Sequence, residues 1–163
     1  MIEIVQGDML TLEADVAVLS AHPTLVAGSG LSGHFHHEAG PELEVAAKEL
    51  GPLKPGYSIV TKGYRLHAPL VVHAVAPRYL VGSEQEQATL RQTYLSVLEH
   101  DELADCKRIV FPAIGVGIYR WPASLAASIA LSALRESPFQ QTIVCLYDVE
   151  NLNAYEKLVA SDK

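Results

Sequence analysis

The segment Gly28–Gly33, with the sequence Gly-Ser-Gly-Leu-Ser-Gly, is the first part of this chain with an evident chemical use. It follows a short apolar run and precedes a stretch with helical character. Glycines allow a backbone to approach a ligand closely. The first turn of a helix offers unpaired N–H groups and the positive end of the helix dipole, which suit a phosphate. The segment therefore predicts a phosphate-binding loop or a flexible turn without a ligand.

This loop differs from the two common phosphate-binding motifs. It follows the second predicted strand, and no acidic residue stands where a dinucleotide-binding fold would hold a ribose. The Gly-Lys-Ser/Thr ending of a P-loop is also missing. A second glycine-containing loop lies at Pro112–Trp121 and repeats the order of strand end, loop and helix. Two such loops at the carboxyl ends of strands favour a ligand crevice.

Two polar side chains follow other predicted strands. Asp8 comes directly after the first strand, where its carboxylate can accept from an exocyclic adenine amine or cap a turn. Tyr147 ends the last strand, where its ring can stack on a base or pack in the core or at its rim. The position of each residue in the sequence does not by itself decide between these roles.

Histidines are concentrated at His22, His34, His36 and His37. His34 and His37 are three residues apart and can share a helix face, but no third ligand beyond Glu38 is apparent. A metal site needs more ligands than this. We therefore expect neither a metal nor a cofactor, and we expect His36 to be partly buried and bonded to the backbone.

The composition limits the possible partners. The chain has 163 residues, 49% of them hydrophobic, and a formal net charge of −7, with its basic residues scattered. This length fits a single domain, residues 1–163. Nucleic acid is not an expected partner, because phosphate neutralisation needs clustered Lys and Arg. No apolar run approaches the ~20 residues of a membrane span, and no secretory leader is apparent, so we expect a cytoplasmic protein without a membrane partner. No pattern predicts an oligomeric state.

Strands alternate with helices along the chain, which predicts an α/β fold. The connection at Gly63–Pro69 is too short for a crossover, so the two strands beside it should be antiparallel. We therefore expect a three-layer α/β/α sandwich with a mixed, mostly parallel central sheet. The predicted strands are Met1–Gln6, Asp15–Ser20, Tyr57–Lys62, Leu70–Ala76, Arg108–Phe111 and Thr142–Tyr147. The predicted helices are one capped by Ser32, then Pro41–Leu50, Ser83–Leu103, Trp121–Arg135 and Val149–Ala160.

Five segments in this order resemble the macro domain, an ADP-ribose-binding module. They are VQGDML at Val5–Leu10, the loop and helix at Leu19–Leu43, VVHAVAP at Val71–Pro77, FPAIGVGIYRWP at Phe111–Pro122, and LYDVENLNAYEKL at Leu146–Leu158. Each motif alone is weak, whereas their shared order over Ile2–Leu158 is specific. The chain is similar to the bacterial O-acetyl-ADP-ribose deacetylase and ADP-ribosyl hydrolase type.

The resemblance implies roles by position. Asp8 would take the adenine amine with help from the Met9 backbone, while Tyr147 would stack on adenine and Asn151 would lie at the same end. The residues of the first loop would contact the distal ribose and diphosphate: Gly30, Leu31 and Ser32. Those of the second loop would wrap the diphosphate with N–H groups: Gly115, Val116, Gly117, Ile118 and Tyr119.

The departures from the family pattern lie at the distal ribose. His22 stands where hydrolytic members have the second Asn of Asn-Ala-Ala-Asn, and Ser32 stands where they have the Asp that helps to activate water. A serine cannot act as a carboxylate base without its own activating partner. The hydroxyl side chains that the family pattern has in the second loop are absent from this chain at Ala113–Gly117. Arg120 replaces a small residue and can reach over the cleft or face solvent.

The sequence thus predicts a macro domain that binds ADP-ribose, or ADP-ribosylated molecules, with weak or no hydrolysis. The alternative is a hydrolase of ADP-ribosyl esters, acting on O-acetyl-ADP-ribose or modified protein side chains. In it His22 would be a non-standard base, or the ligand's own phosphate would activate a bound water. A third possibility is a diverged domain that binds another nucleotide, an RNA end or a protein.

Overall fold

A computed structural model of the chain describes residues 1–161, arranged as a six-stranded sheet with helices on both faces. The strands are β1 (Ile2–Gln6), β2 (Val16–Ser20), β3 (Ser58–Lys62), β4 (Leu70–Ala74), β5 (Arg108–Phe111) and β6 (Gln141–Leu146). The helices are α1 (Gly30–Ala39), α2 (Glu42–Leu50), α3 (Glu84–Leu98), α4 (Ala123–Leu134) and α5 (Val149–Ser161). Short 3-10 turns lie at Met9–Thr11 and Asp101–Leu103.

The sheet has the strand order β1-β6-β5-β2-β4-β3. All neighbouring pairs are parallel except β3 and β4, in which Ser58 lies opposite Ala74 and Lys62 opposite Leu70. The seven residues between these two strands cannot hold a crossover helix, so the chain turns back on itself. The predicted mixed, mostly parallel sheet is therefore confirmed.

Each face of the sheet is covered by its own core. On one face α1 and α2 bury Phe35, Ala39, Leu43 and Ala47. On the other, α3, α4 and α5 bury side chains that include Tyr94, Ala130 and Tyr155. The predicted three-layer sandwich is confirmed by this arrangement. Within residues 1–161, no helix is both long and apolar enough to span a bilayer.

The helix after the first glycine loop begins earlier than predicted. Its N-cap is Ser29, not Ser32, and Gly30 at φ 60° is its first residue. The Gly33 N–H closes the first turn on the Ser29 carbonyl oxygen at 3.2 Å. Ser32 cannot act as the cap because its hydroxyl points back and donates to the Ala27 carbonyl oxygen at 2.7 Å.

The boundaries of two other helices, α3 and α4, also differ from the prediction. Ser83 is the N-cap of α3 rather than its first residue, and it forms a capping box with Glu86. The helix ends at Leu98, because His100 has extended backbone angles and its Nε2 lies 2.8 Å from the Ser58 hydroxyl. Trp121 precedes α4 instead of starting it.

Candidate functional site

A crevice is expected between β2 and β5, at the edge where both strands end. These strands are parallel neighbours, yet the chain leaves β2 for α1 on one face and leaves β5 for α4 on the other. Neighbouring strands whose connections diverge in this way form the switch point at which open α/β sheets bind ligands. Both glycine loops lie at this point. The first wall of the crevice is residues 21–33 and the second wall is residues 112–121.

The first wall is packed too closely for a side chain at Gly33. A Cβ there would lie 2.9 Å from the Gly28 carbonyl oxygen, so the turn requires glycine. Glu44 of α2 holds the loop from behind by accepting from the Ala27 N–H at 2.5 Å. Ser29, Gly30 and Leu31 remain exposed at the amino end of α1. The wall thus presents the backbone of a helix N-terminus to solvent, as a phosphate site requires.

The second wall is fixed to the core on the α3 side. The Ile114 N–H donates to the buried Tyr94 hydroxyl at 2.9 Å. Gly115 has φ 90°, and a Cβ there would lie 2.8 Å from the Trp121 ring. Gly117 and Ile118 are exposed at the tip of the loop. A rigid base therefore carries an open tip whose backbone can face a ligand.

One arginine lies beside the second wall and another lies within it. The Arg78 guanidinium lies 5.7 Å from the centre of the Tyr119 ring, a cation–π contact. The Tyr79 N–H donates to the Tyr119 carbonyl oxygen at 2.9 Å, which joins the segment after β4 to this wall. Arg120 is exposed and has a left-handed φ of 64°.

Asp8 lies at the other end of the same edge, directly after β1. One carboxylate oxygen accepts from the Leu10 N–H at 3.0 Å and so caps the 3-10 turn, which is one of the two roles expected from the sequence. The other oxygen lies 3.0 Å from Nε2 of His34. Partial burial alone raises the pKa of Asp8, but the hydrogen bonds from Leu10 and His34, with the His34 charge, outweigh it and lower the pKa.

The remaining residues predicted at the adenine end lie just after β6, in α5 and in the 3-10 turn after β1. Because Gln6 pairs with Leu146, the segments after β1 and β6 are neighbours, and Tyr147 lies beside the Asp8 segment. Tyr147 is 87% exposed, so packing in the core is wrong for this ring. Asn151 is buried, and its side-chain amide donates to Asp148 at 2.8 Å. Met9 is buried as well.

His22 and Ser32 lie on the first wall and have already engaged part of their hydrogen-bonding capacity. Nδ1 of His22 accepts from the Thr24 N–H at 3.1 Å and lies 2.7 Å from the Thr24 hydroxyl. A backbone N–H only donates, so the neutral ring carries its proton on Nε2. The Ser32 proton is directed at the Ala27 carbonyl oxygen, as described for α1.

The other histidines divide into buried and exposed ones. His36 is buried with its ring centre 6.3 Å from that of His73, and burial lowers the pKa of His36 and lowers that of His73 to about 3. Nδ1 of His36 has no hydrogen-bond partner, so the expected backbone bond is not formed there. His37 is exposed. Among residues 1–161, no three His, Cys, Asp or Glu side chains are grouped to hold a metal.

A second concave surface, of about 390 Å³, lies along α2, between Pro41, Val45, Glu49 and Tyr64. None of its lining residues belongs to either glycine loop, and it is lined by carboxylates and apolar side chains. Anionic ligands are disfavoured there, because two Glu side chains line it. The loop crevice is therefore the better candidate site.

Comparisons with known proteins identify the relatives of this chain. A family model described as "Macro domain" matches residues 18–130. The O-acetyl-ADP-ribose deacetylase of Enterobacter sp. (strain 638) is 38% identical, over 97% of this chain and 93% of the relative. A macro domain-containing protein of Chlorobaculum tepidum is 34% identical, over 99% of this chain and 96% of the relative.

The comparison with solved structures points to the same family as the comparison of sequences. A mutant macrodomain of Oceanobacillus iheyensis with ADPR superposes with a TM-score of 0.92 at 30% identity, covering 98% of this chain and 92% of that one. The Trypanosoma brucei macrodomain in complex with ADP-ribose gives a TM-score of 0.85 at 29% identity, covering 97% and 68% of the two chains. With the sheet order, the two glycine loops and these likenesses together, the chain belongs to the macro domain family.

Proposed function

We propose that this protein binds ADP-ribose, or the ADP-ribosyl group of a modified molecule, in the crevice between β2 and β5. The observation that carries the proposal is the pair of glycine loops at the ends of these two adjacent parallel strands. Both present exposed residues at one edge, and the first of them contains the first turn of α1. A diphosphate held between the two walls would accept hydrogen bonds from N–H groups of both, which requires no Lys or Arg.

The placement of the adenine end supports the same ligand. Asp8 and Tyr147 follow the neighbouring strands β1 and β6, so an acceptor for the adenine amine and an exposed aromatic ring lie on adjacent segments. The walls for the diphosphate follow the next two strands along the same edge, β5 and β2. An extended ligand with a base at one end and a diphosphate beyond it fits this order. The solved macrodomains from O. iheyensis and T. brucei named above contain ADPR and ADP-ribose.

We further propose that binding, rather than hydrolysis, is the main activity. Hydrolysis of an ester needs a group that accepts a proton from water. Ser32 directs its proton at a backbone carbonyl and has no neighbouring base among its hydrogen-bond partners. In the neutral His22 ring, Nδ1 accepts from the Thr24 N–H, and the Nε2–H is a donor. A donor at this position would hold a ribose hydroxyl oxygen in place without activating water.

The second candidate function is hydrolysis of ADP-ribosyl esters. It is favoured by the 38% identical relative named O-acetyl-ADP-ribose deacetylase, which aligns over almost the whole of both chains. For His22 to act as the base, its ring must release the Thr24 N–H or shift its proton to Nδ1. Either change costs the energy of a hydrogen bond, of order 1 kcal/mol, which a transition state can supply.

The test combines calorimetry with a turnover assay on the same protein. We expect ADP-ribose to bind, and we expect O-acetyl-ADP-ribose and an ADP-ribosylated protein to remain intact over the time in which an active deacetylase consumes them. No heat and no thermal shift at millimolar ADP-ribose would refute the binding proposal. Turnover that His22→Ala abolishes would establish the hydrolase with His22 as its base, and turnover that persists in this variant would exclude His22 from it.

A further inference from the structure

The pair formed by His34 and Asp8 joins two distant parts of the crevice. His34 lies in the second turn of α1, directly after the first wall, whereas Asp8 follows β1. In the sheet, β6 and β5 separate β1 from β2, the strand that precedes α1 in the chain. The 3.0 Å contact between His34 Nε2 and Asp8 Oδ2 therefore links the segment of the adenine end to the helix of the first wall.

Hydrogen-bonding rules determine the direction of this contact. The Asp8 carboxylate only accepts, so Nε2 of His34 carries the proton and donates. The Leu10 N–H donates to the other oxygen at 3.0 Å. One donor on each oxygen fixes the plane of the carboxylate, while each oxygen keeps a further lone pair. Both side chains are close to 40% exposed (39% and 40%), so the remaining lone pairs are accessible to a ligand.

We propose that His34 is a positioning residue that orients the Asp8 carboxylate and thereby makes the site selective for a purine with an exocyclic amine. The inference rests on the proposed function, in which Asp8 accepts from the adenine amine. An oriented carboxylate favours a donor at one place and repels the carbonyl oxygen that an oxo-purine such as hypoxanthine presents there. Without His34, only the Leu10 N–H would restrain Asp8, and its rotation about the side-chain bonds would weaken this preference.

Three variants separate this role from a general contribution to folding. His34→Ala removes the donor. His34→Gln keeps an amide N–H at about the reach of Nε2 and should restore the orientation. His37→Ala is the matched control, because His37 lies on the same helix but is exposed, and its side chain makes no hydrogen bond within residues 1–161. Thermal unfolding without ligand reports on the stability of each variant.

The experiment measures the Kd of ADP-ribose and of its hypoxanthine analogue for each protein by calorimetry. We expect His34→Ala to weaken ADP-ribose about tenfold and the analogue much less, so that the preference falls; the loss of one charge-assisted hydrogen bond is of this size. His34→Gln should recover most of the preference, and His37→Ala should retain all of it.

The outcomes are distinguishable from a failure of the binding proposal. If the unchanged protein binds neither ligand, the proposed function fails and this inference fails with it. If it binds ADP-ribose but His34→Ala weakens both ligands equally, or tightens ADP-ribose, His34 does not orient Asp8 for the base and the inference alone is overturned. Equal losses with a lower unfolding temperature would assign His34 a purely structural role.

Discussion

The buried pair His36 and His73 predicts that the protein loses stability in mild acid. Burial lowers the pKa of His73 from 6.5 to about 3, and its Nε2 lies 2.9 Å from the Thr61 hydroxyl. Between these two values the unfolded chain binds a proton that the folded chain does not bind. The free energy of unfolding therefore has its full value above pH 6.5 and decreases as the pH falls below 6.5.

The size of the effect follows from the two pKa values. Proton linkage to His73 alone removes about 2 kcal/mol of unfolding free energy between pH 7 and pH 5. The figure depends mainly on the unfolded-state pKa, because a folded pKa anywhere well below 5 gives nearly the same result. Burial also lowers the pKa of His36, which adds to the loss in the same direction. The carboxylates with lowered pKa titrate mostly below this window.

Urea unfolding at a series of pH values measures this loss. His73→Gln keeps a hydrogen-bonding side chain opposite Thr61 without a titrating group, so it should remove about 2 kcal/mol of the pH dependence. His67→Gln is the control, because His67 is exposed. The same slope in His73→Gln as in the unchanged protein, or no loss of stability in the unchanged protein between pH 7 and pH 5, would refute the reasoning.

Three further predictions concern the second wall. Gly117→Val should leave the unfolding free energy within about 0.5 kcal/mol, since nothing lies within 4 Å of an added Cβ, yet weaken ADP-ribose at least about tenfold in calorimetry. Gly115→Ala should instead destabilise the fold by about 2 kcal/mol, because of its φ of 90° and the Trp121 ring. Unchanged binding in Gly117→Val, or unchanged stability in Gly115→Ala, would contradict the description of this wall. Arg120→Gly should raise the unfolding free energy by about 1 kcal/mol in urea titrations, as it relieves a left-handed backbone, and a lower value would show that the arginine side chain stabilises the loop.

The sheet was predictable from the sequence because its determinants are local. An apolar run such as Val16–Ser20 indicates a strand covered on both faces, and a short connection dictates an antiparallel pair. Helix starts were less predictable. Ser29 and Ser32 are both suitable N-cap types, and the choice depends on a turn in which the Ser32 hydroxyl reaches the Ala27 carbonyl oxygen. The residue types alone do not contain that contact.

The two glycine loops were also placed correctly at one edge, since parallel strands carry their carboxyl ends to the same side. The contact between His34 and Asp8 was missed. The two residues are 26 positions apart and belong to segments whose strands are not neighbours, so no spacing rule connects them. The only available signal was a histidine directly after a predicted ligand-binding loop, which by itself suggested no partner. The tautomer of His22 likewise depends on the Thr24 backbone.

The attachment of the two walls to different cores has a consequence for redesign. Leu25 and Phe35 anchor the first wall in the core beneath α1 and α2, while Ile114 and Trp121 anchor the second in the core beneath α3 to α5. The sheet lies between these cores, so repacking one of them leaves the other intact. Each wall can therefore be replaced without repacking the core that supports the other. The chemistry next to His22 and Ser32 can be replaced by transplanting a single segment, while the opposite wall keeps its own support.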